Sequence, residues 1–283
     1  GPAANAAWLL GLWGEEVYYI GHLQQDLYGQ RIIDEFAEAG VDTSQVVFSD
    51  DMITPLASVL VNRLTGSRTI ITRKMQTPPS LTYEQKLKLD DLAERLIASE
   101  EPVTILIDGH EAEISEYLIK KLPNARVVMD GGSLRASNIK LAAWTDYFVV
   151  SEHFARDYMS YRSLSTEAEI KAALIELNKI CRGEAFITLG EKGCDFLKSG
   201  MLQIVPSWLC NAVDTTGAGD VFHGAFTYGV HYSWHIDNII LFASLTAAIS
   251  IEKKGVRESM PDLAVVHHSL NSYERNLTQY FEE

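Results

Sequence analysis

The sequence predicts an α/β fold in which helices cover both faces of a mostly parallel sheet, a three-layer α/β/α sandwich. Short apolar runs rich in β-branched residues alternate with segments of helical periodicity over most of the chain, and one hairpin pattern at residues 54–72 interrupts that alternation. Repeated strand–helix units of this kind form parallel sheets covered on both faces. Such sheets bind their ligands at the carboxyl ends of the strands.

The first part of the chain contains one strand, one helix and the hairpin. Residues 17–21 form a short apolar run, and residues 26–39 have a helical period that a glycine ends. Two β-branched runs, 57–62 and 68–72, flank a turn at residues 64–67. A lone hairpin inside an α/β pattern indicates a small β element that projects from the main body.

The alternation of strands and helices then continues toward the C-terminus. The predicted helices are residues 83–99, 111–121, 136–142, 153–160, 166–180, 217–231, 236–253 and 262–273. The predicted strands are residues 103–108, 126–130, 147–150, 185–189, 195–198 and 203–205, of which the last two form an antiparallel pair. We find no internal repeat and no linker, so we predict a single domain over residues 1–283.

The composition is typical of a globular protein that binds neither nucleic acid nor a membrane. The formal net charge is −14, whereas nucleic-acid surfaces need clustered Lys and Arg. No apolar run reaches the length of a membrane span. Cys181, Cys194 and Cys210 lack the spacing of a disulfide framework or a metal site. Reduced thiols, and therefore a cytoplasmic protein, are the expectation.

Residues 214–225, with the sequence DTTGAGDVFHGA, combine a glycine-rich turn with the start of a helix. Gly217, Ala218 and Gly219 are small, so a ligand can approach their backbone closely, and the apolar helical pattern begins just after them. The N–H groups at a helix N-terminus bind anions through free donors and the helix dipole. We therefore predict an anion hole for a phosphate group at these three residues.

Asp220 lies in the first turn of the same predicted helix. A carboxylate repels a bound phosphate, so the chemistry that suits it is acceptance of the proton of an attacking hydroxyl during phosphoryl transfer. A glycine-rich loop that an aspartate merely caps has the same short pattern, and a lone Gly-x-Gly is a weak signal. The surrounding sequence decides between the two interpretations.

The whole string at residues 214–225 resembles the C-terminal signature of the PfkB, or ribokinase-like, family of carbohydrate kinases. Residues 1–7, GPAANAA, resemble the N-terminal Gly-Gly-x-x-x-Asn signature of the same family without its first glycine. Residues 188–193 are similar to the family's nucleotide-contacting segment, and residues 255–261 to its C-terminal loop. The resemblance therefore runs over nearly the entire chain, with the signatures in the family's order.

This resemblance implies a ribokinase-like fold and an ATP-dependent transfer of the γ-phosphate to a sugar hydroxyl, with Mg²⁺ as cofactor. It also implies that the hairpin at residues 54–72 closes over the sugar as a lid. The implied roles are: catalytic base, Asp220; anion hole, Gly217, Ala218 and Gly219; ATP binding, Thr188, Gly190 and Gly193; substrate binding, Gly1, Asn5, Asp108 and Asp220; monovalent cation, Asp214, Thr216, Ser250, Gly255 and Ser259. Such oxygen ligands suit K⁺, although a simple turn cap at Asp214 is the alternative.

The sequence departs from the family pattern in several places. Many members carry an Asn-x-x-Glu motif where residues 151–154 read SEHF, so Mg²⁺ would be held mainly by ATP phosphates and water. Ser at the first of these positions also occurs in the ketohexokinase-like branch, and residues 193–197 and 221–224 look most similar to the sulfofructose kinase branch. The family's first strand, with a sugar-binding Asp, would precede Gly1. His223 is expected to be a packing or hydrogen-bonding residue.

Three functions stay open on the sequence alone. The leading hypothesis is a kinase for a furanose or keto-sugar, which includes sulfonated or already phosphorylated sugars. A nucleoside kinase of the same fold would need a base-stacking pocket under the lid, for which Trp8, Trp13 and Tyr28 are available. A catalytically silent protein that senses a sugar or a nucleotide is the third, and the intact Asp220 speaks against it. The resemblance also implies a homodimer, because the family's lid hairpin often pairs between subunits, and an exposed sheet edge would itself favour such pairing.

Overall fold

The computed structural model describes residues 1–50, 52–61, 68–73 and 78–281. The helices are α1 (Pro2–Leu12), α2 (Leu27–Glu38), α3 (Tyr83–Ala98), α4 (Ala112–Lys121), α5 (Ala136–Ala142), α6 (Glu152–Tyr158), α7 (Glu167–Ile180), α8 (Ala218–His231), α9 (Ile236–Ser250) and α10 (Leu263–Phe281). The strands are β1 (His22–Leu23), β2 (Val47–Phe48), β3 (Ala57–Val61), β4 (Arg68–Thr72), β5 (Thr104–Ile107), β6 (Arg126–Gly131), β7 (Tyr147–Ser151), β8 (Glu184–Thr188), β9 (Cys194–Lys198) and β10 (Met201–Val205).

A six-stranded sheet in the order β10-β9-β8-β7-β6-β5 forms the centre of the molecule. Strands β5 to β8 pair in parallel, whereas β9 and β10 run antiparallel to their neighbours. The four parallel strands therefore end at one edge of the sheet, and this carboxyl edge is where such sheets bind ligands. The predicted α/β fold with a mostly parallel sheet is confirmed.

Both faces of the sheet are buried under helices. On one face Phe186 of β8 packs against Phe226 of α8, and on the other Phe148 of β7 packs against Phe154 of α6. All four rings are fully buried. Burial of a side chain of this size contributes about 1.5–3 kcal/mol, so these two layers of contact hold the sandwich together.

The first residues of the chain form a helix, α1, which has no counterpart among the elements predicted from the sequence. Gly224 of α8 faces it, and a Cβ atom at Gly224 would lie only 3.1 Å from Cδ2 of Leu9 and 3.2 Å from Cα of Ala6. The absence of a side chain at this position lets the two helices approach closely. As a result, the N-terminal turns of α1 and α8 meet at the carboxyl edge of the sheet.

The strand predicted at residues 17–21 is wrong in extent. Tyr18 makes only an isolated parallel bridge to Asp42, and the strand that follows, β1, pairs with β2 outside the six-stranded sheet. Tyr19 packs against Phe36 of α2 instead, and Val17 packs against the buried cluster that contains Phe36. Burial against a helix, not pairing in the sheet, explains why this run is apolar.

The predicted hairpin is present as β3 and β4, which pair antiparallel with Ala57 opposite Thr72. The turn predicted at residues 64–67 lies outside the described residues. Leu60 and Ile71 share one face of this two-stranded sheet, and both are more than half exposed, at 59% and 56%. No helix in the described part of the chain is long and apolar enough to cross a membrane.

Candidate active site

Side chains from three distant parts of the sequence converge where α1, α8 and the end of β5 meet. The amide Nδ2 of Asn5 donates to Oδ2 of Asp220 over 2.6 Å. Asp108 directly follows β5, and its Oδ2 accepts the backbone N–H of Ala3 over 3.3 Å. Gly1 lies beside them, since a Cβ atom on it would be 3.9 Å from Oδ2 of Asp108. The residues predicted to bind substrate therefore lie together.

Gly217 makes the turn that leads into α8. Its φ angle is 78°, in the left-handed region that favours glycine. A Cβ atom at this position would also lie 2.5 Å from Cγ1 of Val256, closer than packed carbon atoms approach. Both the backbone conformation and the neighbouring side chain thus require glycine here.

The N-terminus of α8 has the form of an anion-binding site. The N–H of Val221 is bonded to the carbonyl of Gly217 over 2.9 Å, which leaves the N–H groups before it at the open end of the helix. Ala218 donates to the carbonyl of Thr215 only at the long distance of 3.4 Å. Gly219 is exposed, and a Cβ atom on it would meet no atom within 4 Å, so this end of the helix opens to solvent at Gly219. A phosphate can reach this helix end.

Asp220 and Asp108 have opposite protonation tendencies. Burial raises the pKa of Asp220, and the hydrogen bond from Asn5 and the charge of His223 only partly offset that effect. Burial also acts to raise the pKa of Asp108, but His110 outweighs it and holds the pKa at about 2. Two carboxyl groups whose pKa values are pushed apart suit different roles. Asp220 is the better proton acceptor of the two.

Asp108 is held from both sides by its neighbours. Its Oδ1 accepts the backbone N–H of His110 over 3.0 Å. The Nδ1 atom of the His110 ring lies 3.0 Å from the same oxygen. Its Oδ2 is occupied by α1 through Ala3. This carboxylate therefore fixes the first turn of α1 and the loop after β5 as well as lining the site.

The predicted ATP-binding segment lies at the same carboxyl edge of the sheet. Thr188 is the last residue of β8, and its hydroxyl donates to the carbonyl of Val150 over 3.3 Å. Gly190 has a φ angle of 60° and begins a short 3₁₀ helix that ends before Gly193, whose φ angle is 105°. A Cβ atom at Gly193 would overlap the carbonyl oxygen of Val205. This turn thus follows the carboxyl end of β8, at the same edge of the sheet as the end of β5.

The residues predicted to hold a monovalent cation lie in and next to two adjoining loops, at residues 214–216 and 255–259. Oδ1 of Asp214 accepts the N–H of Thr216 over 3.0 Å, and Oδ2 accepts that of Gly255 over 3.3 Å. The hydroxyl of Ser259 donates to the carbonyl of Gly255 over 2.7 Å, and Ser250 ends α9 just before this loop. Oγ1 of Thr216 is buried and finds no hydrogen-bond partner among the described residues. The oxygen atoms fit a hard cation.

Ser151, at the place of the family's motif Asn, serves the backbone. Its Oγ accepts the N–H of Phe154 over 3.1 Å and so caps α6, and it donates to the carbonyl of Gly132 over 3.0 Å. This serine therefore joins β7, α6 and the loop after β6.

The contacts of His223 were not predicted from the sequence. Its Nδ1 lies 3.2 Å from Oδ2 of Asp130, and both side chains are 4% exposed. Burial raises the pKa of Asp130 to about 6, while the charge of His223 lowers it. The available signal was an acidic residue near the end of an otherwise apolar strand, β6.

A glycine-bounded helix start and a carboxylate beside it, at the carboxyl edge of an α/β sheet, fit a phosphotransferase that acts on an alcohol group. The chain belongs to the PfkB family: the sequence profile described as pfkB family carbohydrate kinase matches residues 1–263. The predicted family, the ribokinase-like fold and the enzyme class are confirmed. The resemblance to the sulfofructose kinase branch stays a prediction.

Known proteins of this kind are similar to the chain over nearly its full length. A ribokinase of Lactococcus lactis is 27% identical over 278 residues, which are 98% of this chain and 87% of the relative. Fructokinase-2 of Oryza sativa is 23% identical and covers 96% of this chain and 84% of the relative. The structure of Arabidopsis thaliana ribokinase complexed with ribose and ATP has a TM-score of 0.77 at 20% identity, with 95% and 86% of the two chains covered.

Proposed function

We propose that this protein is an ATP-dependent kinase that transfers the γ-phosphate to a primary hydroxyl of a furanose or keto-sugar. The observation that carries the proposal is the position of Asp220, a carboxylate with a raised pKa in the first turn of a helix whose open end faces free space at Gly219. Relatives named ribokinase and fructokinase support a sugar as the acceptor.

In this mechanism Asp220 accepts the proton of the acceptor hydroxyl while the hydroxyl oxygen attacks the γ-phosphorus. Asn5 holds Oδ2 of the carboxylate, which orients Oδ1 for the hydroxyl. The N–H groups at Gly217, Ala218 and Gly219 stabilise the negative charge of the transferring phosphoryl group. Mg²⁺, when bound with ATP, would neutralise the phosphate charge, and ADP leaves as the second product.

The aromatic side chains favour a sugar over a nucleoside. Trp13 is 8% exposed, donates its indole N–H to the carbonyl of Pro261 over 2.9 Å and packs edge-on against Tyr228. It therefore belongs to the core and cannot stack on a base. The guanidinium of Arg257 lies 5.9 Å from the centroid of the Trp8 ring, and so it competes with a base for one face of that ring. Trp13 is thereby excluded, whereas Trp8 is half-buried beside Asn5 and Tyr28 is 41% exposed.

A coupled assay of ADP release, with a panel of sugars and nucleosides, tests the proposed function. We expect turnover with a pentose or hexose that offers a primary hydroxyl, and none with nucleosides. Turnover with nucleosides alone would establish the alternative kinase. Sugar binding by calorimetry without ADP release from any acceptor would establish a silent binding protein.

We also propose that K⁺ binds at the loops around Asp214 and Thr216. The buried, unpartnered Oγ1 of Thr216 supports this, because a cation would satisfy it. A positive charge there would steady the turn before α8. We expect KCl to raise kcat and the unfolding temperature relative to tetramethylammonium chloride at equal ionic strength, and Asp214→Asn to lose both effects. Rates and stability that do not respond to K⁺ would contradict the site.

We further propose that two chains pair through the hairpin of β3 and β4, which acts as a lid in each. Leu60 and Ile71 would leave water on pairing, since both are exposed on one face. Sedimentation velocity should give a dimer for the wild type and a monomer for Leu60→Glu. Thr72→Glu, on the other face, is the control and should remain dimeric. A wild-type monomer at micromolar concentration would contradict this assembly.

A further inference from the structure

His223 connects the first turn of α8 to two central strands of the sheet. Its Nδ1 lies 2.6 Å from the carbonyl oxygen of Gly219 and 3.2 Å from Oδ2 of Asp130 in β6. Its Nε2 lies 3.2 Å from the carbonyl oxygen of Val149 in β7. All these contacts are in the interior, since the side chains of His223 and Asp130 are 4% exposed. The ring thus ties the start of the helix to the sheet.

These partners determine the protonation of the ring. The oxygens of Gly219 and Val149 are carbonyl oxygens, which only accept hydrogen bonds. A neutral imidazole has one N–H group, so one of its nitrogens would point a lone pair at a carbonyl oxygen. Both contacts are favourable only when both nitrogens carry a proton. The positive charge that results lies beside the carboxylate of Asp130, and a buried charge needs such a partner.

The charge on His223 acts on Asp220, three residues earlier on the same helix face. Burial raises the pKa of Asp220, and the hydrogen bond from Asn5 and the charge of His223 lower it. Among the described residues, the other titratable side chains nearby are Asp108 after β5 and Asp130 in β6. The negative charge of Asp108 has the opposite effect to the charge of His223, because it raises the pKa of Asp220.

We propose that His223, as an imidazolium paired with Asp130, is a positioning residue for Asp220. It holds the carbonyl of Gly219, and therefore the peptide that links the anion hole to the base, and its positive charge keeps the carboxylate of Asp220 ready to accept a proton. The inference rests on the proposed role of Asp220 as base. An uncharged side chain at position 223 could bond one of the two carbonyls but could not supply the charge.

His223→Asn tests this role because it keeps a hydrogen-bond donor and removes the charge. The acid limb of the profile of kcat/KM against pH reports the protonation of the essential base. Without the positive charge, Asp220 takes up its proton at higher pH, so the limb should move up by about one pH unit, a roughly tenfold loss of kcat/KM on that limb. On the alkaline plateau the variant should return to near the wild-type value, and KM for ATP should change little.

Thr227→Val is the matched control. Thr227 lies one turn further along α8, is 5% exposed and donates its hydroxyl to the carbonyl of His223 over 2.7 Å. Its removal disturbs the same helix without changing any charge, so the acid limb should stay in place. The proposal would be overturned if the acid limb of His223→Asn were unchanged, or if kcat/KM fell by the same factor at every pH.

Nitrogen-15 NMR of the histidine ring gives a readout that needs no catalysis. In the wild-type protein at neutral pH, we expect protons on both ring nitrogens of His223, assigned by comparison with His223→Asn. A ring with a single proton would overturn the proposal even where Asp220→Asn proves that Asp220 is the base. A doubly protonated ring in a protein that phosphorylates no acceptor would instead overturn the proposed function, and with it the positioning role.

Discussion

Replacement of Asp220 by asparagine should lower kcat by about 10²–10⁴-fold, the range that a positioned general base contributes. The amide has the size of the carboxylate but cannot accept the proton of the hydroxyl. Because burial raises the pKa of Asp220, the site disfavours its negative charge, so the uncharged variant should be at least as stable to heat. ATP should bind as well or better, since the repulsion between carboxylate and phosphate is gone. Initial rates, calorimetry and thermal unfolding measure these three quantities.

Asp237→Asn is the control for this change. Asp237 also lies in the first turn of a helix, α9, but on the surface, where it pairs with Lys198 over 3.2 Å and with His235 over 3.1 Å. The kcat of the Asp237→Asn variant should equal that of the wild type. If Asp220→Asn kept more than about a hundredth of wild-type turnover, Asp220 could not be the base.

The sheet and most helices were predictable because side-chain periodicity encodes them. The helix predicted at residues 136–142 has those bounds in the structure, and the strand predicted at 147–150 is longer by one residue. Helix α1 shows the limit of that signal. Its sequence, PAANAAWLLGL, is apolar on every side because it packs against α8 and also against Phe36 of α2. Because most of its partly exposed positions are also apolar, Leu12 among them, the helix has no polar face and therefore no clear period to detect.

The candidate site was predictable residue by residue but not contact by contact. Local motifs and the family resemblance identified Asn5, Asp108 and Asp220 separately. The bond from Asn5 to Asp220 joins residues 215 positions apart, and it exists because α1 packs on α8 at Gly224. The pair of His223 and Asp130 likewise depends on how α8 lies across the sheet. No local sequence pattern records such distances.

Gly217→Ala should damage the anion hole more than an ordinary glycine substitution would. The added Cβ atom would lie 2.5 Å from Cγ1 of Val256, and a φ angle of 78° costs a residue with a Cβ atom about 1–2 kcal/mol. The turn must move away from Val256, which shifts the N–H groups of Ala218 and Gly219 from the phosphate position. Loss of one such donor typically costs 10²–10³ in kcat, so we expect about a hundredfold loss.

Gly40→Ala separates the two causes of that loss. Gly40 has a similar φ angle, 73°, but a Cβ atom there would meet no atom within 4 Å. This control therefore carries the backbone cost alone. Denaturant unfolding of both variants should show Gly217→Ala to be less stable by a further 1–3 kcal/mol or so, the usual cost of overpacking.

Val256→Ala should rescue Gly217→Ala, because it removes the methyl groups that the new Cβ atom meets. In the double variant the turn can return toward its original place, and the N–H groups with it. The two substitutions should then be coupled by about 0.5–3 kcal/mol in unfolding free energy, and kcat should recover in parallel. A double variant as slow as Gly217→Ala would mean that the left-handed backbone of Gly217, and not the space beside Val256, determines where the helix end presents its N–H groups.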